Sequence, residues 1–210
     1  MRPQPWPVPA GASWAHDTIT RMFWTLPTIM TWTRIVAIPL IVGVFYLPIA
    51  EPMRNLIATV MFIVFAATDW LDGYLARRLN QTSAFGAFLD PVADKFLVCA
   101  SLIVLVWLHR CDALVALVII GREIAISALR EWMAEIGARR SVAVHMLGKL
   151  KTAVQMTAIP FLLYDGALFG GLVDTRIWGT GLIWAAAVLT IWSMVYYLQK
   201  ALPDIRANAR

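Results

Sequence analysis

The chain is dominated by apolar stretches long enough to cross a bilayer, and this constrains its fold more than any other feature. Six such stretches cover residues 27–49, 54–77, 86–108, 112–136, 146–171 and 176–200. A helix needs roughly 20 apolar residues to span a hydrocarbon core of about 30 Å. The breaks between stretches carry turn residues or charge, at 48–52, 78–83, 109–112, 137–141 and 165–174. The pattern predicts an all-α polytopic membrane protein with six transmembrane helices. Composition agrees: 60% of the residues are hydrophobic and 15% charged, with ten Trp, against roughly 45–50% apolar content in soluble domains. The expected organisation is an N-terminal cytoplasmic or interfacial lead-in over 1–22, a six-helix transmembrane domain over 23–202 and a cytoplasmic tail over 203–210. The lead-in contains Pro3, Pro5, Pro7 and Pro9 and lacks the apolar core of a cleaved signal peptide.

The net charge of +5 suits anionic lipid or a phosphorylated substrate. Nucleic acid is excluded as a partner, because the Lys and Arg residues fill short gaps between apolar runs rather than forming a solvated basic stripe. With the N-terminus inside, the inner side carries Arg2, Arg21, Arg77, Arg78, Arg139, Arg140, Lys149, Lys151, Lys200, Arg206 and Arg210. The outer side carries Arg54, Arg110 and Arg176. The positive-inside rule therefore puts both termini in the cytoplasm. Trp24, Trp107, Trp178, Tyr196 and Tyr197 fall near segment ends and read as interfacial anchors. Cys99 and Cys111 are twelve residues apart, about 18 Å along a helix, which is beyond bridging distance.

Four aspartates, Asp69, Asp72, Asp90 and Asp94, fall inside the second and third apolar stretches, where an ionised carboxylate needs a partner. On a helix Asp69 and Asp72 lie about 60° apart and Asp90 and Asp94 about 40° apart, so each pair shares a face. Gly73, Ala76 and Gly86 lie on or beside those faces and allow close helix approach. Four converging carboxylates make a site for hard cations such as Mg²⁺ or Mn²⁺. The alternative is salt bridging to Arg77, Arg78 and Lys95. The histidines, His16, His109 and His145, are scattered and form no zinc set.

Read in full, 69–94 matches D-x2-D-G-x2-A-R-x8-G-x3-D-x3-D without departure. This resembles the signature of the CDP-alcohol phosphatidyltransferases, integral membrane enzymes of glycerophospholipid synthesis. Two further segments are Gly121-Arg122-Glu123 through Arg130-Glu131-Trp132-Met133-Ala134-Glu135, and Gly148-Lys149-Leu150-Lys151-Thr152. They look like the bacterial branch that transfers the phosphatidyl group of CDP-diacylglycerol to sn-glycerol 3-phosphate and releases CMP. The similarity covers roughly 26–200. The family's N-x2-T-x2-R pattern is met here by Thr28, Thr31 and Arg34, with Thr28 replacing Asn.

The resemblance implies the CDP-alcohol phosphotransferase fold and a metal centre of two ions, Mg²⁺ or Mn²⁺, held by Asp69, Asp72, Asp90 and Asp94. Asp94 is also implied as the catalytic base. Thr31, Asp69, Asp72, Gly73, Ala76 and Arg77 would bind the nucleotide, with Gly73 leaving room for it against the helix backbone. Arg34 is open between ligand contact and interfacial anchor. Arg122, Arg130, Lys149 and Lys151 would bind the acceptor phosphate. Their other reading is contact with lipid headgroups or pairing with Glu123, Glu131 and Glu135. A homodimer in the bacterial inner membrane, surrounded by membrane lipids and with its active site facing the cytoplasm, is also implied. The rival functions are the same reaction with inositol phosphate or serine as acceptor, and transport of a divalent cation.

Overall fold

The computed structural model describes residues 26–79, 84–135, 137 and 146–208. Among these, six α-helices follow one another: α1 (Leu26–Val44), α2 (Glu51–Leu79), α3 (Ala84–Trp107), α4 (Ala113–Glu135), α5 (Met146–Tyr164) and α6 (Thr175–Asn208). Between α5 and α6, two-residue strands β1 (Ala167–Leu168) and β2 (Val173–Asp174) pair antiparallel. The all-α expectation holds, and each helix coincides with one apolar stretch. At 1.5 Å per residue the helices, 19 to 34 residues long, measure about 28 to 51 Å.

Local chemistry sets the helix ends. The first helix stops at Val44, five residues short of the expected boundary, because tight bonds from Phe45, Tyr46 and Leu47 N–H to the carbonyls three residues back close its last turn. Pro48 follows and cannot continue the ladder. Asp112 caps α4, its Oδ1 accepting from the N–H of Leu114 at 2.8 Å and Val115 at 3.3 Å. Asp174 does the same for α6, accepting from Arg176 and Ile177. The fifth helix ends at Tyr164 rather than 171, since Asp165 turns into the left-handed region at φ 47°. Gly166 and Thr175 then close the small hairpin through reciprocal bonds. The sixth helix runs on through Pro203 to Asn208, eight residues past the expected end.

Helix α1 packs on α2 and α3, while α5 packs on α6 and α2, and α4 joins α6 and α3. Ile41, Phe62, Leu97, Leu102, Leu105, Ile119, Ile159, Leu162 and Ile183 form the centre. The crossing of α5 and α6 depends on Gly179, where a Cβ would lie 2.8 Å from Leu162 Cγ and 3.1 Å from the Leu162 backbone nitrogen. Small residues at such points let membrane helices approach closely.

Polarity is arranged inside out. Arg34, Asn55, Arg110, Arg122, Lys151, Gln155 and Ser193 are buried, whereas Leu40, Ile63, Phe96, Ile103, Leu117, Val188 and Trp192 are exposed. Buried hydroxyls bond back to their own helices, as Thr59 to the Asn55 carbonyl and Ser101 to that of Leu97. Among the described residues, Thr175–Pro203 is the one stretch long and apolar enough to cross a membrane by composition alone. In α4 and α5, Arg122, Glu123, Lys149 and Lys151 lower the average.

Candidate active site

The backbone places all four aspartates in regular helix, Asp69 and Asp72 on α2 and Asp90 and Asp94 on α3. Their side chains, with those of Thr31, Gly73, Ala76 and Arg77, lie outside what the structure describes. Register still constrains them. Asp72 is seven residues before the end of α2 and Asp69 ten, while Asp90 is six residues after the start of α3 and Asp94 ten. At 1.5 Å per residue these depths are about 10 and 15 Å on α2 and about 9 and 15 Å on α3. Both helices pack on α1, and four residues separate them. Asp72 and Asp90 thus lie at similar distances from the helix ends that flank residues 80–83, as do Asp69 and Asp94. Four carboxylates at two matched depths are a donor set that fits hard divalent cations.

On α1, Arg34 follows Thr31 by less than one turn. It is only 1% exposed, so the structure decides against an interfacial anchor and turns this side chain into the bundle.

The basic residues of α4 and α5 divide. Arg122 is buried, its Nη2 donating to Ser193 Oγ at 3.1 Å and its Nη1 lying 3.5 Å from Glu123 Oε1. Lys151 is buried against Glu123 and ion-paired with it. Arg130 is half-buried, and its guanidinium lies over the Tyr197 ring, 5.4 Å from the centroid. Arg122 approaches the same ring at 5.8 Å. Lys149 is exposed, because two residues turn a helix by about 200° and put it on the side opposite Lys151. The structure thus gathers Arg122, Arg130 and Lys151 around Glu123 and Tyr197 and leaves Lys149 outside. Neither Glu131 nor Glu135 appears among the carboxylates paired with this cluster, so Glu123 is its described counter-ion.

Tyr197 corrects the sequence reading. It was expected in the headgroup layer, yet it is 1% exposed and forms the floor of the cluster. Its signal was its spacing: Thr190, Ser193 and Tyr197 are separated by three and four residues and make one buried polar stripe on α6. Trp107 and Trp178 are exposed near helix ends, as interfacial anchors should be.

A second polar cluster lies at the opposite end of the bundle. Arg110 is buried in the turn between α3 and α4, its Nε 2.9 Å from Asp165 Oδ2. Its Nη2 donates to Glu51 Oε1 and Asn55 Oδ1, both at 3.1 Å, and its Nη1 to the Leu163 carbonyl at 2.9 Å. Burial pulls its pKa below the usual arginine value, opposed by Asp165 and Glu51. The guanidinium uses its fork to tie α2, the α3–α4 turn and the end of α5 together.

Carboxylates spaced three and four residues apart on two successive helices, in a chain that also buries a cluster of arginine and lysine, suit transfer of a phosphorylated group between two anionic substrates. Residues 24–192 match the CDP-alcohol phosphatidyltransferase family, and the chain belongs to that family. It is similar to the CDP-diacylglycerol–glycerol-3-phosphate 3-phosphatidyltransferases of several bacteria. The protein of that name from Salmonella choleraesuis (strain SC-B67) is 48% identical over 192 residues, 88% of this chain and 98% of the relative. That of Shigella flexneri serotype 5b (strain 8401) is 49% identical over 188 residues, with the same coverage. The Escherichia coli (strain K12) protein is 48% identical over 192 residues, again with the same coverage.

Proposed function

We propose that the chain transfers the phosphatidyl group of CDP-diacylglycerol to sn-glycerol 3-phosphate, giving phosphatidylglycerophosphate and CMP. The observation that carries this reading is near-complete alignment, at 48–49% identity, with relatives that bear that activity as their name. The unbroken signature over 69–94 and the buried basic cluster support it.

A hydroxyl of the acceptor attacks the β-phosphorus of the CDP-lipid. The new P–O bond forms as the bond to the bridging oxygen breaks, and CMP leaves with that oxygen. Asp94 takes the hydroxyl proton. Asp69, Asp72, Asp90 and Asp94 would hold two divalent ions, Mg²⁺ or Mn²⁺, which when bound neutralise the pyrophosphate and the developing charge on the leaving oxygen. Arg77 pairs with phosphate of the nucleotide lipid, and Gly73 and Ala76 leave the α2 backbone open to the nucleotide. Thr31 supplies a hydroxyl to the same ligand from α1. Arg122, Arg130 and Lys151 bind the acceptor's phosphate, for which charge-assisted and bidentate hydrogen bonds are the strong choice. Lys149, on the exposed side of α5, adds long-range attraction for the dianion.

We further assign six membrane crossings, since each helix reaches about 28 Å or more and carries an exposed apolar face, a surface too large and apolar for water. The active site faces the cytoplasm of a bacterial inner membrane and both termini are cytoplasmic. Residues 1–22 form the lead-in, 23–202 the catalytic unit and 203–210 the tail, and the working form is a homodimer. The test is CMP release by purified protein in mixed micelles with a panel of acceptors and metals. Release should require CDP-diacylglycerol, a divalent ion and sn-glycerol 3-phosphate. A preference for serine or inositol phosphate overturns the acceptor assignment.

A further inference from the structure

Tyr197 has no place in the reaction above, yet α4, α5 and α6 converge on it. Its enclosed ring carries two guanidiniums, Arg122 at 5.8 Å and Arg130 at 5.4 Å from the centroid. Two cations over one ring repel each other, so the arrangement needs a source of attraction. The ring quadrupole supplies part of it. Glu123 reaches Arg122 at 3.5 Å but is also bonded to Lys151, and Arg130 forms no ion pair with a described residue. The Nε atoms of Arg122 and Arg130 are buried and make no hydrogen bond among the described residues. The cluster therefore holds donors in excess of its own acceptors, and an anion with several oxygens would satisfy them. Backbone geometry also protects the ring: a Cβ on Gly148 would lie 3.1 Å from the Tyr197 hydroxyl.

Building on the acceptor-phosphate assignment, we propose that Tyr197 is the positioning residue of that site, its ring holding Arg122 and Arg130 side by side so that one phosphate meets both forks. The ring does not touch the substrate. It removes freedom from two long side chains before the anion arrives, so its loss appears in acceptor binding and leaves the CDP-lipid and the chemical step unaltered. Glycine at 148 belongs to the same device, because alanine there presses on the hydroxyl and tilts the ring.

The experiment measures CMP release by the full-length enzyme in CDP-diacylglycerol micelles while sn-glycerol 3-phosphate is varied. Tyr197→Phe keeps the quadrupole and should change the acceptor KM by less than about threefold, whereas Tyr197→Leu should raise it about tenfold or more. The lipid KM and the kcat at saturating acceptor should stay within roughly threefold in both variants. Gly148→Ala should raise the acceptor KM several-fold, and the double variant Gly148→Ala/Tyr197→Phe should return toward the parent, since the pressed oxygen is gone. An unchanged acceptor KM in Tyr197→Leu, or a Gly148→Ala defect that persists in the double variant, overturns the proposal. If Tyr197→Leu does not fold, the Gly148 pair decides it. Absence of glycerol-3-phosphate-dependent release from the parent enzyme is a separate failure, that of the acceptor assignment itself.

Discussion

Replacing Arg110 by alanine should unfold this protein at a lower temperature without changing what the folded enzyme does. The substitution strips Asp165, whose side chain is 15% exposed, of a partner at 2.9 Å. Losing one member of a buried pair costs about 3–5 kcal/mol, and the low end applies because Arg176 stands 3.8 Å from the same oxygen. Asn55 Oδ1 and the Leu163 carbonyl lose their donor, adding about 1–2 kcal/mol. Glu51 is 65% exposed, and its share is about 0.5 kcal/mol or less. The sum is about 4–5 kcal/mol, or roughly 10–15 °C in Tm for a chain of this size. Thermal melts in detergent measure it, with CMP release assayed well below the transition. That activity should match the parent, since the cluster is at the end of the bundle opposite the basic site. A Tm within about 3 °C of the parent refutes the argument, as does Glu51→Gln costing as much as Asp165→Asn.

Three further outcomes are expected. Asp94→Asn should lower CMP release by about 10²–10⁴-fold while the protein inserts and melts as the parent does; retained turnover in vesicles would remove Asp94 from the mechanism. Gly179→Val sets a side chain where Leu162 lies 2.8 Å from the Cβ position, so it should cost about 1–3 kcal/mol by overpacking, read as a lowered melting temperature, while a neutral result would mean that α5 and α6 part freely. Burial, then Asp112, pushes the Cys111 thiol from 9.0 up to about 11. The protonated form is the one favoured by folding, so its stabilisation is full below pH 9 and is lost as pH rises through about 11. In a Cys99→Ser background, alkylation of Cys111 should be slow at pH 8 and accelerate toward pH 11, and a flat profile contradicts the burial.

Hydrophobic length and the spacing of a few polar residues make the helices and the carboxylate signature legible in the amino-acid order. A run of twenty apolar residues has one way to satisfy its backbone in lipid, and a pair of aspartates three or four residues apart shares a face on any helix. Where the helices end is less legible. Asp165 in a left-handed turn and Thr175 bonded to Gly166 stop α5 seven residues early, and neither bond has a periodic signature.

Sequence alone determined the fold class, the family signature and the four aspartates, because these depend on local period and residue type. Tertiary structure decided what the remaining polar residues do. Lys149 and Lys151 read alike in the sequence, and only packing buries one and exposes the other. Arg110 looked like an outer-face charge and is a buried tie between three helix ends. Tyr197 looked like an anchor and is enclosed beneath two arginines contributed by another helix. Each depends on which faces meet across long sequence separations, and a one-dimensional pattern carries no information about that choice.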